Sequence, residues 1–299
     1  MTVLSSALRT GLVLGATACS FNPANGGDGG PPDDVRIDGD GSGSNMEAGE
    51  MMATDHLLIS EIQVIMTFEF VEIYNPTGGT IDLANYFLTD TNEYWKFPGV
   101  VSGSEAITMD SSDFLVQFPV GASIAPKGVV VVAVDGPDFM TEYGTLPTYT
   151  IATPVTGSGQ MIPRVTGTGT LPPSLTNTGE FVALFQWDGA ADLVKDVDIV
   201  IHGNAPTADN SPAAKSGIDG PDGNTNASNY LTDALTLQDM PADAGGRKSY
   251  KRIAGEAGHE IDTGGNGLTG HDETTEQLRS TWDTAVSNGN PGVVEPGVK

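Results

Sequence analysis

The chain has 299 residues, and 13 lysines and arginines against 39 acids give a formal charge of −26. A surface this acidic repels nucleic acid and anionic lipid, so neither is an expected partner. The 38% hydrophobic content is enough for one sizeable core in one or two domains, and no apolar run reaches the 18 residues of a transmembrane helix.

Residues 1–18 carry one cation, Arg9, and no acid. A short apolar run, Gly11–Ala18, leads to Gly15-Ala16-Thr17-Ala18-Cys19. This resembles a bacterial lipoprotein signal, in which small side chains precede the cut and the cysteine thiol carries the lipid. The resemblance implies removal of residues 1–18 and lipidation of Cys19. Ala16 stands where leucine is usual, and the alternative is an ordinary secretory signal with a chance cysteine. Cys19 is the single cysteine, so no intrachain disulfide can form. Residues 19–54 are rich in Gly, Pro and Asp and are expected to be a disordered acidic linker. A Gly-rich coil of that length spans on the order of 30–35 Å. Asp38, Asp40 and Ser42 begin an EF-hand-like spacing, but Gly49 occupies the twelfth position, where a bidentate Glu is needed.

The folded domain is expected over residues 55–295. Leu57–Met66, Phe68–Tyr74 and Ile81–Leu88 are rich in Ile, Val and Phe and separated by turn residues, which reads as strands. Glu93–Phe97 alternates polar and aromatic residues and suggests another strand, with loop over 99–113. Phe114–Phe118 and Val129–Val134 form a further strand pair, the second apolar enough to be buried on both faces. Phe139–Tyr143, followed by Gly144 and Pro147, suggests one helical turn. Residues 150–175 read as loop or edge strand. Phe181–Trp187 and Leu193–His202 flank an Asp188-Gly189 hairpin turn. Asp196 and Asp198 alternate with Val197 and Ile199 and are expected to face water.

Several of these stretches together resemble the lamin tail domain. They are Ser60-Glu61 in the first strand, Phe70 to Asn75, Asp82 to Asp90, Leu175-Thr176-Asn177-Thr178-Gly179-Glu180, Ser249 to Arg252, and the closing Pro291-Gly292. The resemblance implies an all-β fold, an immunoglobulin-like β-sandwich with long loop insertions near residues 99–113 and 203–246. It makes Glu61 and Glu72 scaffold residues that satisfy backbone or hydroxyl groups, against the alternative of an acid–base pair. It also implies that Trp282 packs in the core. Nuclear lamins carry this domain after a coiled coil, and this chain has no heptad region to match.

Candidate site residues are few. Asp222, Asn224, Asn226, Ser228 and Asp233 have the closest spacing to a calcium loop, although Ala227 replaces the usual Gly. The alternative there is a turn that bonds its own backbone. His259-Glu260 lacks a histidine four residues on, and His271-Asp272-Glu273 is too compact to bind a metal alone. Asp272 is instead expected to cap a short turn. No serine sits in a G-x-S-x-G elbow, and no catalytic residue is assigned. The favoured expectation is a non-enzymatic lipoprotein of the bacterial cell envelope, anchored through Cys19 at the outer membrane or cell surface. It would present the sandwich to an envelope protein or glycan, or serve a structural role, and needs no cofactor. The alternatives are a calcium-dependent adhesion or glycan-binding module and an envelope hydrolase; without the anchor the protein would be secreted.

Overall fold

Two facing β-sheets enclose one main core. The structure, a computed structural model, describes residues 55–166, 172–177, 179–203, 215–233, 248–261, 263–283 and 288–298. The expected signal peptide, Cys19 and the linker lie outside the described residues.

The strands in chain order are β1 (Leu58–Gln63), β2 (Phe70–Tyr74), β3 (Ile81–Asp82), β4 (Tyr86–Thr89), β5 (Phe114–Gln117), β6 (Ser123–Ile124) and β7 (Val129–Asp135). They continue with β8 (Tyr149–Thr153), β9 (Gly159–Gln160), β10 (Ile162–Thr166), β11 (Gly179–Gln186), β12 (Lys195–Gly203), β13 (Tyr250–Arg252) and β14 (Trp282–Asp283). A seven-stranded sheet runs β14-β13-β1-β2-β7-β8-β9, and a five-stranded sheet runs β10-β5-β4-β11-β12. β3 and β6 form a small ribbon of their own. Pairing is antiparallel except at one edge, where β7-β8 and β8-β9 are parallel. This is the expected all-β sandwich, with a parallel edge.

Apolar side chains of both sheets meet between them. Ile59, Ile62, Val71, Ile73, Val130 and Val132 come from the larger sheet, and Phe87, Leu115, Phe181 and Phe185 from the smaller. Burying each contributes about 1.5–3 kcal/mol. Phe87 and Phe185 stack at 5.0 Å, and Tyr94 stacks on Phe181 at 5.7 Å. β7 is buried from Val130 to Val134 between β2 and β8, as its unbroken Val run predicts. Trp282 is buried, also as expected.

Two local expectations change. Residues 94–102 are not strand and loop but a 3-10 turn, Tyr94–Lys96, running into helix α1, Phe97–Ser102. Pro98 sits in the first turn, where its missing N–H costs nothing, and Gly103 ends the helix at φ 85°. The aromatic alternation that suggested a strand therefore places Tyr94, Trp95 and Phe97 on a curled segment over β11 and β4. The second helix, α2, spans Gly136–Tyr143, longer than the single turn expected. Asp135 starts it by accepting a hydrogen bond from the Asp138 N–H at 2.9 Å. The described part of residues 150–175 supplies the edge strands β9 in one sheet and β10 in the other, with β8 lying inside β9.

The C-terminal segment completes the larger sheet's surface. Glu61 and Glu72 sit opposite one another on β1 and β2. Glu61 accepts from the Ser249 hydroxyl and from the Asn290 N–H at 3.1 Å. Glu72 accepts from the Ser60 hydroxyl at 2.7 Å and from the Gly292 N–H. The two acids thus hold residues 288–292 against the sandwich. Val298 packs beyond them on Leu58 and Tyr74.

Candidate functional site

Asp196 and Asp198 correct the sequence reading most. Both are 1% exposed rather than solvated. Each is covered by a cation from a distant part of the chain.

Asp198 meets Arg252. The Arg252 Nη2 donates to Asp198 Oδ1 and Oδ2 at 2.9 and 2.8 Å, and the guanidinium also grips Glu276. Arg252 lies against the Trp282 ring at 5.0 Å. Burial opposes its charge, but Asp198, Glu276 and Glu256 more than offset that and raise its pKa.

Asp196 meets Lys215, from the segment expected as an insertion. Lys215 Nζ lies 2.6 Å from Asp196 and 3.0 Å from Asp233, above the rings of Tyr94 and Tyr230. The Tyr94 hydroxyl donates to Asp196 at 2.5 Å. Tyr230 donates to the Trp95 carbonyl at 2.7 Å and accepts from the Val194 N–H at 3.0 Å. The described part of the insertion, residues 215–233, is therefore docked into the sandwich by a buried lysine and a buried tyrosine.

That docking redistributes the calcium-loop candidates. Asp233 goes to Lys215, and Ser228 donates to Asp192 at 2.6 Å. Asp222 accepts from the Asn224 N–H at 3.0 Å, and Asn224 accepts from the Asn226 N–H at 2.7 Å. These are successive turns in which each side chain bonds the backbone two residues on. The five residues do not converge on one point, because the Asp233 carboxylate is drawn to a buried ammonium. Asp222 approaches Asp192 and Asp219 instead, with carboxylate oxygens within 4.8 Å.

The insertion also meets the other expected one. Ser102 and Ser104 donate to the Asp219 carbonyl at 2.8 and 2.9 Å. Ser102, Gly103 and Ser104 on one side and Asp219, Gly220, Pro221, Gly223 and Asn224 on the other line an open cleft of about 540 Å³. Its wall carries hydroxyl, amide, carboxylate and backbone groups beside an about equal share of apolar surface. A second cleft, about 320 Å³, lies beside Phe87, Phe97 and Trp187, with Gln117 and Arg164 at its rim.

A third feature is buried beneath the chain's closing loop. His56, just before β1, donates from Nδ1 to the Leu57 carbonyl at 3.0 Å, which turns Nε2 towards Glu256 Oε2 at 3.1 Å. Burial lowers the His56 pKa, but the Glu256 carboxylate outweighs it and raises it to about 9. His271 Nδ1 lies 2.8 Å from Glu260. Glu273 sits among these groups, and burial followed by the neighbouring Glu256, Glu260 and Asp198 carboxylates pushes its pKa well up. The compact His271-Asp272-Glu273 stretch thus gains a partner that sequence spacing does not reveal, because His56 comes from the far end of the chain. Asp272 begins the short 3-10 turn Glu273–Thr275, and its carboxylate accepts from the Thr274 hydroxyl at 2.6 Å. His259 stays outside the group; its N–H donates to the Glu256 carbonyl at 2.7 Å.

Among the described residues no helix is long and apolar enough to cross a membrane. No protein-family model matches the chain, and no curated protein matches it. Among solved structures it is similar to a DUF4876 family protein from Bacteroides thetaiotaomicron, at 14% identity and a TM-score of 0.44, over 82% of this chain and 74% of that one.

Proposed function

We propose that this β-rich protein is a non-enzymatic lipoprotein of the bacterial cell envelope, lipidated at Cys19, with a lamin-tail-like sandwich that carries a binding surface for envelope protein or glycan. The observation that carries the binding reading is the cleft of about 540 Å³ between the two inserted segments. Loops held on a rigid sandwich are where such scaffolds bind partners. The loop of residues 219–224 is clasped by Ser102 and Ser104 and anchored below by Tyr230, so its polar groups are presented in a fixed arrangement. Pre-ordering of this kind lowers the entropic cost of binding. A cleft walled by hydroxyl, amide and carboxylate groups suits a hydroxyl-rich ligand such as a glycan. The anchor rests on the Gly15–Cys19 motif.

Two measurements test the reading. Metabolic labelling with a fatty acid should mark the wild type, and Cys19→Ala should abolish the label and move the protein to the soluble fraction. Labelling that survives Cys19→Ala overturns the anchor. The binding surface is tested by comparing the Cys19→Ser chain with and without Asp222→Ala and Asn224→Ala for binding to an immobilised envelope fraction.

A further inference from the structure

We propose that His56, His271 and Glu273 form a structural site for a divalent transition-metal ion of the zinc class, with Glu256 and Glu260 beside it as candidates for a further ligand. Each of the three offers one ligand atom within 4.8 Å of the others. Glu256, Glu260 and Glu273 satisfy the same condition, so Glu273 is common to both groups. Zinc bonds to imidazole and carboxylate are about 2.0–2.2 Å, which places the ligand atoms of a tetrahedral site roughly 3.3–3.6 Å apart. Side-chain movements of roughly an ångström therefore close the site.

Charge and hydrogen bonding both point to a missing cation partner. Arg252 is occupied by Asp198 and Glu276, and its approach to Glu256 is only 3.5 Å. Glu256, Glu260 and Glu273 are then left with the two histidines. The histidines reach Glu256 and Glu260, and Glu273 has neither. Glu273 is 4% exposed, and its Oε1 has no hydrogen-bond donor among the described residues. A buried carboxylate oxygen without a partner is costly, and a metal ion supplies what is absent.

Two further details match a built site. The Nδ1–H of His56 is fixed on a backbone carbonyl, the outer bond that orients a histidine to ligate through Nε2. Gly267 passes so close that a Cβ there would lie 2.7 Å from Glu273 Oε1 and 2.6 Å from the His271 carbonyl oxygen. The loop is shaped around the carboxylate. Mixed nitrogen and oxygen donors favour zinc-class ions over calcium, which takes six or more oxygens. The burial of Glu256 and Glu273 leaves no open position for substrate, so the ion would staple the start of β1 to the loop of residues 256–276.

The test uses the full chain, stripped with a chelator and dialysed, then titrated with zinc chloride, cobalt chloride or calcium chloride. The expected result is about one zinc per chain, a thermal midpoint raised by several degrees, and cobalt absorption bands of a four-coordinate ion. His271→Asn, at a partly exposed position, and Glu273→Gln should each keep the fold, lower zinc affinity at least ~10-fold and remove the zinc-dependent shift. Far-ultraviolet dichroism checks the fold of each variant, and if one fails to fold the other decides. The proposal is overturned if the wild type takes up no zinc or cobalt, if calcium alone binds, or if the folded variants bind zinc as tightly as the wild type.

Discussion

Asp198 and Arg252 together replace a rung of the seven-stranded sheet. The pairing of β1 with β13 ends at Glu61, so Ile59 has no partner on that side. The Ile59 N–H donates to Asp198 at 2.5 Å, and the Ile59 carbonyl accepts from Arg252 Nε at 2.9 Å. Asp198 belongs to the five-stranded sheet, so the pair ties the two layers together as well as satisfying the backbone.

Arg252→Met removes one partner and leaves Asp198 and Glu276 buried without a cation. Breaking a buried pair in this way costs about 3–5 kcal/mol. Urea unfolding should show a lower midpoint, and adding Asp198→Asn should recover part of the loss. A midpoint unchanged within error would mean that the pair contributes nothing net.

Lys215→Met should loosen the docked insertion more than the sandwich. It leaves Asp196 and Asp233 facing each other without the ammonium that now neutralises both. Amide hydrogen exchange should quicken across residues 215–233 while β2 and β7 keep their protection. Equal acceleration in both regions would show that the insertion and the core open as one unit.

Glu72→Gln tests the scaffold role assigned to that acid. An amide keeps one acceptor oxygen where the carboxylate offers two, so either the Ser60 hydroxyl or the Gly292 N–H loses its partner. The expected loss is about 1–3 kcal/mol, with binding by the folded fraction intact. Binding lost at unchanged stability would instead make Glu72 a functional residue.

Stability should fall as pH rises from about 5 to 8. Burial raises the pKa of Glu69 to about 8, its bond from the Leu175 N–H opposing this, and burial raises Glu61 to about 7. Both native carboxyls hold protons that the unfolded chain releases near its ordinary pKa of 4.5. The folded state therefore binds more protons through that window, so this stabilisation is full below pH 4.5 and lost as pH passes the folded values. His202 works the other way: burial lowers it to about 4, so its contribution is full above pH 6.5 and lost as pH falls towards 4. Glu69→Gln should flatten the decline by up to one proton, about 1.4 kcal/mol per pH unit between pH 5 and 8. A variant with the wild-type slope would remove Glu69 from the account.

The strands were legible because their signal is local. Ile, Val and Phe runs between Gly and Pro turns place β1, β2, β7, β11 and β12 within a few residues of where they occur. The buried charges were not legible, because alternation in β12 reads the same whether the second face meets water or a hidden cation. Lys215 and Arg252 decide that, and both arrive from elsewhere in the chain. The His271-Glu273 pair was visible but incomplete, since His56 joins it only in the folded chain. The sequence shows residues 203–246 only as a loop insertion; Tyr230 and Lys215 tie its described part to the core, so its function is better probed by point substitutions at its tip than by deletion.

Asp222 and Asn224 supply that tip. Both are exposed, and they bond chiefly to each other. The full-length chain carrying Cys19→Ser, with and without Asp222→Ala and Asn224→Ala, should be titrated against an immobilised cell-envelope fraction. The account predicts saturable binding by the parent protein and at least ~10-fold weaker binding by the double variant, about 1.4 kcal/mol, at an unchanged thermal midpoint. Equal binding by the two proteins, or no saturable binding by the parent, would contradict the claim that the cleft between the inserted loops is where this protein meets its partner.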